Sequence, residues 1–482
     1  MKHISLVRVQ ILAALLSLPA LAALGQEADG LRAGTAAVDI SPIVFPIQLR
    51  SGPSRHVHDP LHVRAIALQN GKGHAVIAVL DAIGIGRETC DKAKAIVAKK
   101  TGWRPRGMLV CATHTHSAPK GGDTTPGRVA YEKKRFDGIV QALTGAIQSL
   151  KPAKVGFASD KEPSEVCNRR WFLKPGTMDP NPFGELDRVR TNPPRDHLLK
   201  PAGPIDPEVC VVDVRTRRGR ALGLIANYAL HYVGGLPRAK EDDGRTVGMA
   251  SADYFGEFAR IMPHRVGGAN PPDNFVAMMT NGASGDINNI DFYRKRPPRA
   301  PFEQVRVVAT KTADAAWRAV KKIEKYDESP VIAVRQREVT LTYRTTTAAE
   351  VERARKILQL PRKDREKLHR RATQYARATV RYSEPGKTEK VIVQAIRIGE
   401  QAIVSMPFEV LVEIGLEIKR KSPFARTFLI ELANGAYGYL PPPNQHELGG
   451  YETWIGTSRF QKDSSVILTR CLLKMLGELK SL

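Results

Sequence analysis

Short apolar runs that stop at polar, glycine-bearing segments recur along this chain, and their spacing predicts the architecture before any single residue does. Residues 33–40 and 74–80 read as strands, as does Met108-Leu109-Val110-Cys111-Ala112, which breaks off just before His114 and His116. The run 222–228 ends near His231, and 275–279 leads into Asn281-Gly282-Ala283-Ser284-Gly285-Asp286. Runs at 391–398 and 402–405 precede Pro407-Phe408-Glu409, and 428–432 precedes Asn434 to Tyr439. Helical patterns at 131–150, 304–323 and 410–419 stand between them. This alternation predicts an α/β fold, a mixed sheet covered by helices within a single large domain over 26–482. Ligands of such sheets sit beyond the carboxyl ends of strands, so five polar clusters become candidates for one convergent site. As ordinary loops they would look the same by periodicity.

Three other segments depart from the pattern. Residues 348–381 are rich in Arg, Lys, Ala and Leu and are interrupted by Pro361, which predicts a basic helical pair with a short break. Its ordinary meaning is a solvated face; its specialised meaning is a surface for anionic partners. The proline- and charge-rich stretches 175–204 and 263–272 read as surface loops, the kind that rim a site.

Composition then narrows the setting. Met1-Lys2-His3, Arg8 and an apolar stretch over 11–24 ending in small residues have the layout of a secretory signal peptide over 1–25, which predicts a secreted or periplasmic protein. No later run approaches the roughly 20 apolar residues of a transmembrane helix. The net charge of +25 drops by only two without Lys2 and Arg8, so the chain favours anionic partners such as envelope or polysaccharide surfaces. Nucleic acid is not expected, since no zinc-finger, helix-turn-helix or aromatic RNA-binding pattern is present. Five cysteines without a CxxC pair argue against a thiolate metal site and leave one or two disulfides open.

The candidate chemistry is carried by few residues. Histidines two apart at a strand end project to one side, so His114 and His116 can share a pocket, one binding metal and the other hydrogen-bonding substrate or water. Taken singly, each candidate has a plainer reading. HxH pairs are often structural, His231 reads as a core histidine, and Glu409 as a partner of a helix N-terminus. Tyr437 and Tyr439 read as packing, Asp286 as a turn stabiliser, and His56, His58 and His62, in a proline-containing early loop, as surface residues or as residues standing behind a site.

Their order and company change those readings. Ala112-Thr113-His114-Thr115-His116-Ser117-Ala118-Pro119 resembles the signature of the neutral, or alkaline, ceramidase family, and further landmarks follow in that family's order. The segment from Gly34 to Pro42 resembles its opening strand, Asn168-Arg169 its NRS element, and Asn227-Tyr228-Ala229-Leu230-His231 its second-histidine strand. Ser251-Ala252-Asp253, Pro407-Phe408-Glu409 and Asn434 to Tyr439 complete the series. The resemblance implies Zn2+ held by His114, His231, Glu409 and Tyr439, with His116 and Arg169 beside it as positioning groups and Asp286 and Asn288 in the catalytic turn. Two imidazoles and a carboxylate are a common catalytic zinc set that activates water and polarises a carbonyl.

In the family the position of Asn288 carries a serine implicated in attacking or holding the amide. Asparagine cannot form an acyl-enzyme, so the departure favours water as nucleophile and counts against ceramide as the substrate. The resemblance also implies that the family's C-terminal immunoglobulin-like domain is absent. The leading expectation is an exported zinc-dependent amidohydrolase acting on an amide or ester of a small-molecule or lipid-like substrate. The alternatives are a non-catalytic metal- or ligand-binding protein of the same fold, and a polyanion-binding envelope protein without a functional pocket.

Overall fold

The computed structural model describes residues 30–120 and 124–482. The expected signal peptide lies outside the described residues. An eight-stranded mixed sheet runs in the order Val276–Asn281, Ala221–Tyr228, Glu208–Thr216, Lys151–Lys161, Arg32–Asp39, His62–Asn70, Gly73–Leu80, Met108–Ala112. Its neighbours are antiparallel except at the two edges, where Ala221–Tyr228 pairs in parallel with Val276–Asn281 and Gly73–Leu80 with Met108–Ala112.

Strand alternation sorts the core into two faces. Val63, Ala65, Val76, Ala78 and Leu80 face helices Arg87–Thr101 and Pro126–Gln148. Across the other half, Val209, Val211, Leu224 and Ala226 face helices Asp253–Gly267 and Glu303–Lys321. On the opposite face, Ile66, Ile77, Val212 and Ile225 meet Ile332, Ile396, Ile403 and Phe428 of a second sheet. That sheet runs Ile332–Thr342, Thr388–Ile398, Gln401–Ser405, Arg426–Ile430. Helices Val412–Lys421 and Ser464–Lys480 close its far side over Val393, Val404, Leu468 and Leu472. The layers are therefore helix, sheet, sheet, helix. The α/β class and mixed sheet are as the sequence predicts, and the added feature is a second sheet covering one face.

What positions the site is the chain leaving Arg426–Ile430. Glu431 N–H donates to Asn281 O (3.1 Å), Ala112 N–H to Leu432 O (3.2 Å), and Asn434 N–H to Val110 O (2.8 Å). This segment bonds both edge strands and draws the ends of Met108–Ala112 and Val276–Asn281 together.

Three sequence expectations need correction. Residues 263–267 are not loop but the last turn of Asp253–Gly267; burial of Tyr254, Phe255, Phe258 and Met262 on its inner face outweighs the hydrogen bond lost at Pro263. The stretch 175–204 is more ordered than a loop, because Val189–Thr191 and Leu198–Pro201 flank Arg170–Leu173 in a three-stranded sheet. The basic segment has three helical pieces, Ala348–Gln359, Arg362–Arg365 and Ala372–Arg381, the first started by a reciprocal cap between Thr347 and Glu350. All five cysteines are free thiols.

Candidate metal centre

The strand Met108–Ala112 hands its chain to a turn in which His114 takes a left-handed backbone, φ 71°. A non-glycine residue held there costs about 1–3 kcal/mol and persists only where surroundings impose it. Here His114 N–H donates to Ala82 O (2.9 Å) and its Nδ1 to Ile83 O (2.6 Å). His231, three residues beyond Ala221–Tyr228, places its own Nδ1 3.1 Å from Ser284 O. A carbonyl only accepts, so both Nδ1 atoms keep their protons and both Nε2 atoms present lone pairs.

Those two lone pairs face each other at 2.9 Å. Glu409 Oε2 stands 3.3 Å from His114 Nε2 and 3.6 Å from His231 Nε2, and it is buried without a well-aligned donor. Two neutral imidazoles and a carboxylate brought this close form a donor set that could hold a metal ion. Burial would raise the Glu409 carboxyl, yet His114, Tyr439 and Arg169 hold it below the usual range. Burial would lower His114, and Glu409 and Glu431 raise it instead; His231 is pushed well down by burial, His114 and Arg169.

His116 belongs to the same group: one ligand atom from each of His114, His116 and His231 lies within 4.8 Å of the others. Its Nε2 is 3.1 Å from His114 Nε2, while its Nδ1 is 3.3 Å from an Arg50 guanidinium nitrogen. A guanidinium can only donate, so Nδ1 accepts and Nε2 carries the proton. In that tautomer His116 offers the site a donor rather than a lone pair. Tyr232 stacks on its ring at 3.8 Å between centroids, and burial with His114, Arg50 and Arg169 keeps it neutral.

A short parallel pairing of Glu409–Val410 with Tyr439–Leu440 sets Tyr439 beside Glu409. Arg169 donates to Tyr439 Oη (3.0 Å), Gly285 O (2.6 Å) and, through Nε, Glu452 (2.9 Å). Arg169 sits there because Cys167–Asn168 pairs with Ile287–Asn288 and its N–H donates to Asp286 O (2.8 Å). Asp286 is fully buried, accepting from Asn168 Nδ2 (2.9 Å) and Val412 N–H (2.8 Å), and burial raises its carboxyl to about 6. Asn288 donates to Asn192 Oδ1 (2.6 Å) and accepts from Ile290 N–H (2.9 Å). Thus His114, His116, His231, Glu409, Tyr439 and Arg169 come together, while Asp286 and Asn288 hold the neighbouring chain.

Above these residues opens a cavity of about 320 Å³, with His116, Arg169, His231 and Tyr439 in its wall and Val189 to Asn192 along its rim. A cleft of about 670 Å³ shares Asp179, Pro180, Asn181 and His369 with it and is lined by Phe183, Ile357, Leu360 and Leu368. Another cleft, about 710 Å³, lies against helices Val412–Lys421 and Ser464–Lys480 and holds none of the histidines.

Several contributors carry no local motif. Glu452 accepts from both Arg169 and Arg170 (2.7 Å), and Arg50 and Tyr232 bracket His116. Glu431 takes Ser284 Oγ–H (2.6 Å) and Val410 N–H (2.8 Å), which fixes the carbonyl that orients His231; burial raises its carboxyl to about 8. Glu431 alone left a trace in the sequence, as a carboxylate inside the apolar run Phe428-Leu429-Ile430-Glu431-Leu432.

Fold and site together define a class: a four-layer α/β protein with a buried histidine group able to hold a metal ion at the end of its main sheet. No family model matches the chain, and no curated protein sequence does. Among solved structures, the chain is similar in fold to neutral ceramidase from Pseudomonas aeruginosa, with a TM-score of 0.68 and 16% identity over 94% of this chain and 75% of that one. A ceramidase solved in complex with C2 is similar to the same degree. Among the described residues no helix is long and apolar enough to cross a membrane.

Proposed function

We propose that this protein is an exported zinc-dependent hydrolase that cleaves an amide or ester bond in an acyl, lipid-like substrate. The observation that carries the reading is the pair of Nε2 lone pairs of His114 and His231 facing each other at 2.9 Å, with Glu409 Oε2 beside them. His114, His231 and Glu409 would hold the metal, with Tyr439 oxygen adjoining. Bound there, zinc supplies Lewis acidity that activates water and polarises a carbonyl.

The chain's own groups account for the rest. In this reading His116 Nε2–H and the Arg169 guanidinium would be the donors that meet negative charge developing on the carbonyl oxygen. Glu452 holds Arg169 in place, and Tyr232 and Arg50 fix the His116 ring and its tautomer. In the reaction the oxygen of water bonds to the carbonyl carbon, the carbon–nitrogen or carbon–oxygen bond breaks, and a proton from that water ends on the leaving atom. The cleft lined by Phe183, Ile357, Leu360 and Leu368 adjoins the cavity and suits an acyl chain. The likeness to ceramidases supports acyl-amide chemistry.

Asn288 favours ligand binding without turnover as a second reading, because its amide is tied to Asn192 and Ile290 and offers no nucleophile. A panel of N-acyl amides and acyl esters separates the two. Hydrolysis abolished by chelation and restored by zinc is expected; binding of panel members without hydrolysis at any zinc occupancy would favour the second reading.

A further inference from the structure

The cavity wall carries charge that hydrolysis of a neutral amide does not require. Arg50, Arg169, Arg190, Arg370 and Arg371 line it, against the carboxylates Asp179 and Asp187. Both carboxylates are engaged: Asp179 pairs with Arg190, and Asp187 accepts from Trp454 Nε1–H (2.8 Å) and Asn181 Nδ2–H (3.1 Å). Arg169 is matched by the buried Glu452. Among the described residues Arg50, Arg370 and Arg371 form no ion pair; Arg50 reaches only the neutral His116, and Arg371 lies over the Tyr451 ring at 4.6 Å.

Arg370 and Arg371 come from the turn between Arg362–Arg365 and Ala372–Arg381, the basic segment whose ordinary role is a solvated face. Here that turn lines the cavity that holds His116 and His231, with Arg370 exposed and Arg371 half-buried. His369, on the same wall, is pushed down by burial first and then by Arg370, Arg371 and Arg190, with Asp179 opposing them. Concave walls of one sign concentrate counter-charged ligands. A guanidinium already stacked on an aromatic ring also loses less freedom when it binds one.

We infer that the substrate carries an anionic group, a carboxylate or a phosphate, which docks on Arg370 and Arg371 with Arg50 opposite while the acyl bond meets the histidine cluster. The inference rests on the hydrolase reading for its second half and on the cavity alone for its first. It separates this protein from an enzyme shaped for a neutral amide.

The test uses matched probes differing in charge: octanoylglycine against octanoylglycinamide, and octanoyl-O-phosphoethanolamine against octanoylethanolamine. Each is titrated calorimetrically into zinc-loaded full-length protein, and amine release is measured in parallel. An anionic probe of at least one pair should bind about tenfold more tightly than its neutral partner. That preference should shrink toward unity in Arg370→Gln/Arg371→Gln, return in Arg370→Lys/Arg371→Lys, and weaken as salt is raised. The two pairs distinguish carboxylate from phosphate. Anionic preference in binding without amine release upholds the subsite and overturns the hydrolase reading. Hydrolysis with no preference for charge, or a preference unchanged in the Gln variant, overturns the subsite.

Discussion

The floor and the mouth of this cavity hold similar side chains under opposite conditions. On the floor the guanidinium charges are buried and bonded, with Arg169 and Arg170 sharing Glu452, whose side chain is 0% exposed, while Glu409 beside two imidazoles is left for a cation. At the mouth, the pair of Arg190 and Asp179 is 36% and 69% exposed, and Arg370 and Arg371 have no acidic partner among the described residues. Desolvated charges are expensive and are tolerated only in a fully bonded network, whereas exposed ones cost little to leave open. The floor is therefore fixed in advance of any ligand, and the mouth is charged for one.

The sharpest way to break this contrast is Glu452→Ala, which leaves two buried guanidinium groups unanswered. It should lower unfolding stability by about 3–5 kcal/mol in chemical denaturation. His116→Ala should leave folding and zinc content intact while lowering kcat about a hundred- to a thousandfold on any substrate found, since it removes a donor to the developing oxyanion. Glu431→Gln, which loosens the carbonyl orienting His231, should weaken zinc affinity about ten- to a hundredfold in a chelator competition. Asp179→Asn should change stability by no more than about 1 kcal/mol. A loss at Asp179 comparable to that at Glu452 would erase the distinction between the two regions.

Much of the floor was legible in the sequence, because a buried strand announces itself as an apolar run and its end as the first polar residue after it. Met108–Ala112 and Gln401–Ser405 were readable in this way, and so were the positions of His114, His231 and Glu409 beside strand ends. The central strands Lys151–Lys161 and Glu208–Thr216 were not, since Lys154, Asp160 and Asp213 interrupt their apolar runs.

The mouth was least legible. A basic helical segment has the same composition whether or not it borders a cavity, and only the fold brings Arg370 and Arg371 to this one. Glu452 was equally silent, because its importance lies in meeting Arg169 and Arg170, more than 280 positions away along the chain. The tautomer of His116 was likewise invisible, since it depends on Arg50, 66 residues earlier.

The central claim is that the facing histidines and Glu409 form a metal site. Its most direct test is elemental analysis of the protein after loading with zinc and desalting, with His114→Ala and Glu409→Ala alongside. One tightly held zinc per chain, lost in both variants while they remain folded, is the predicted result. A folded wild-type protein that retains no metal, or variants that retain it undiminished, would contradict the account.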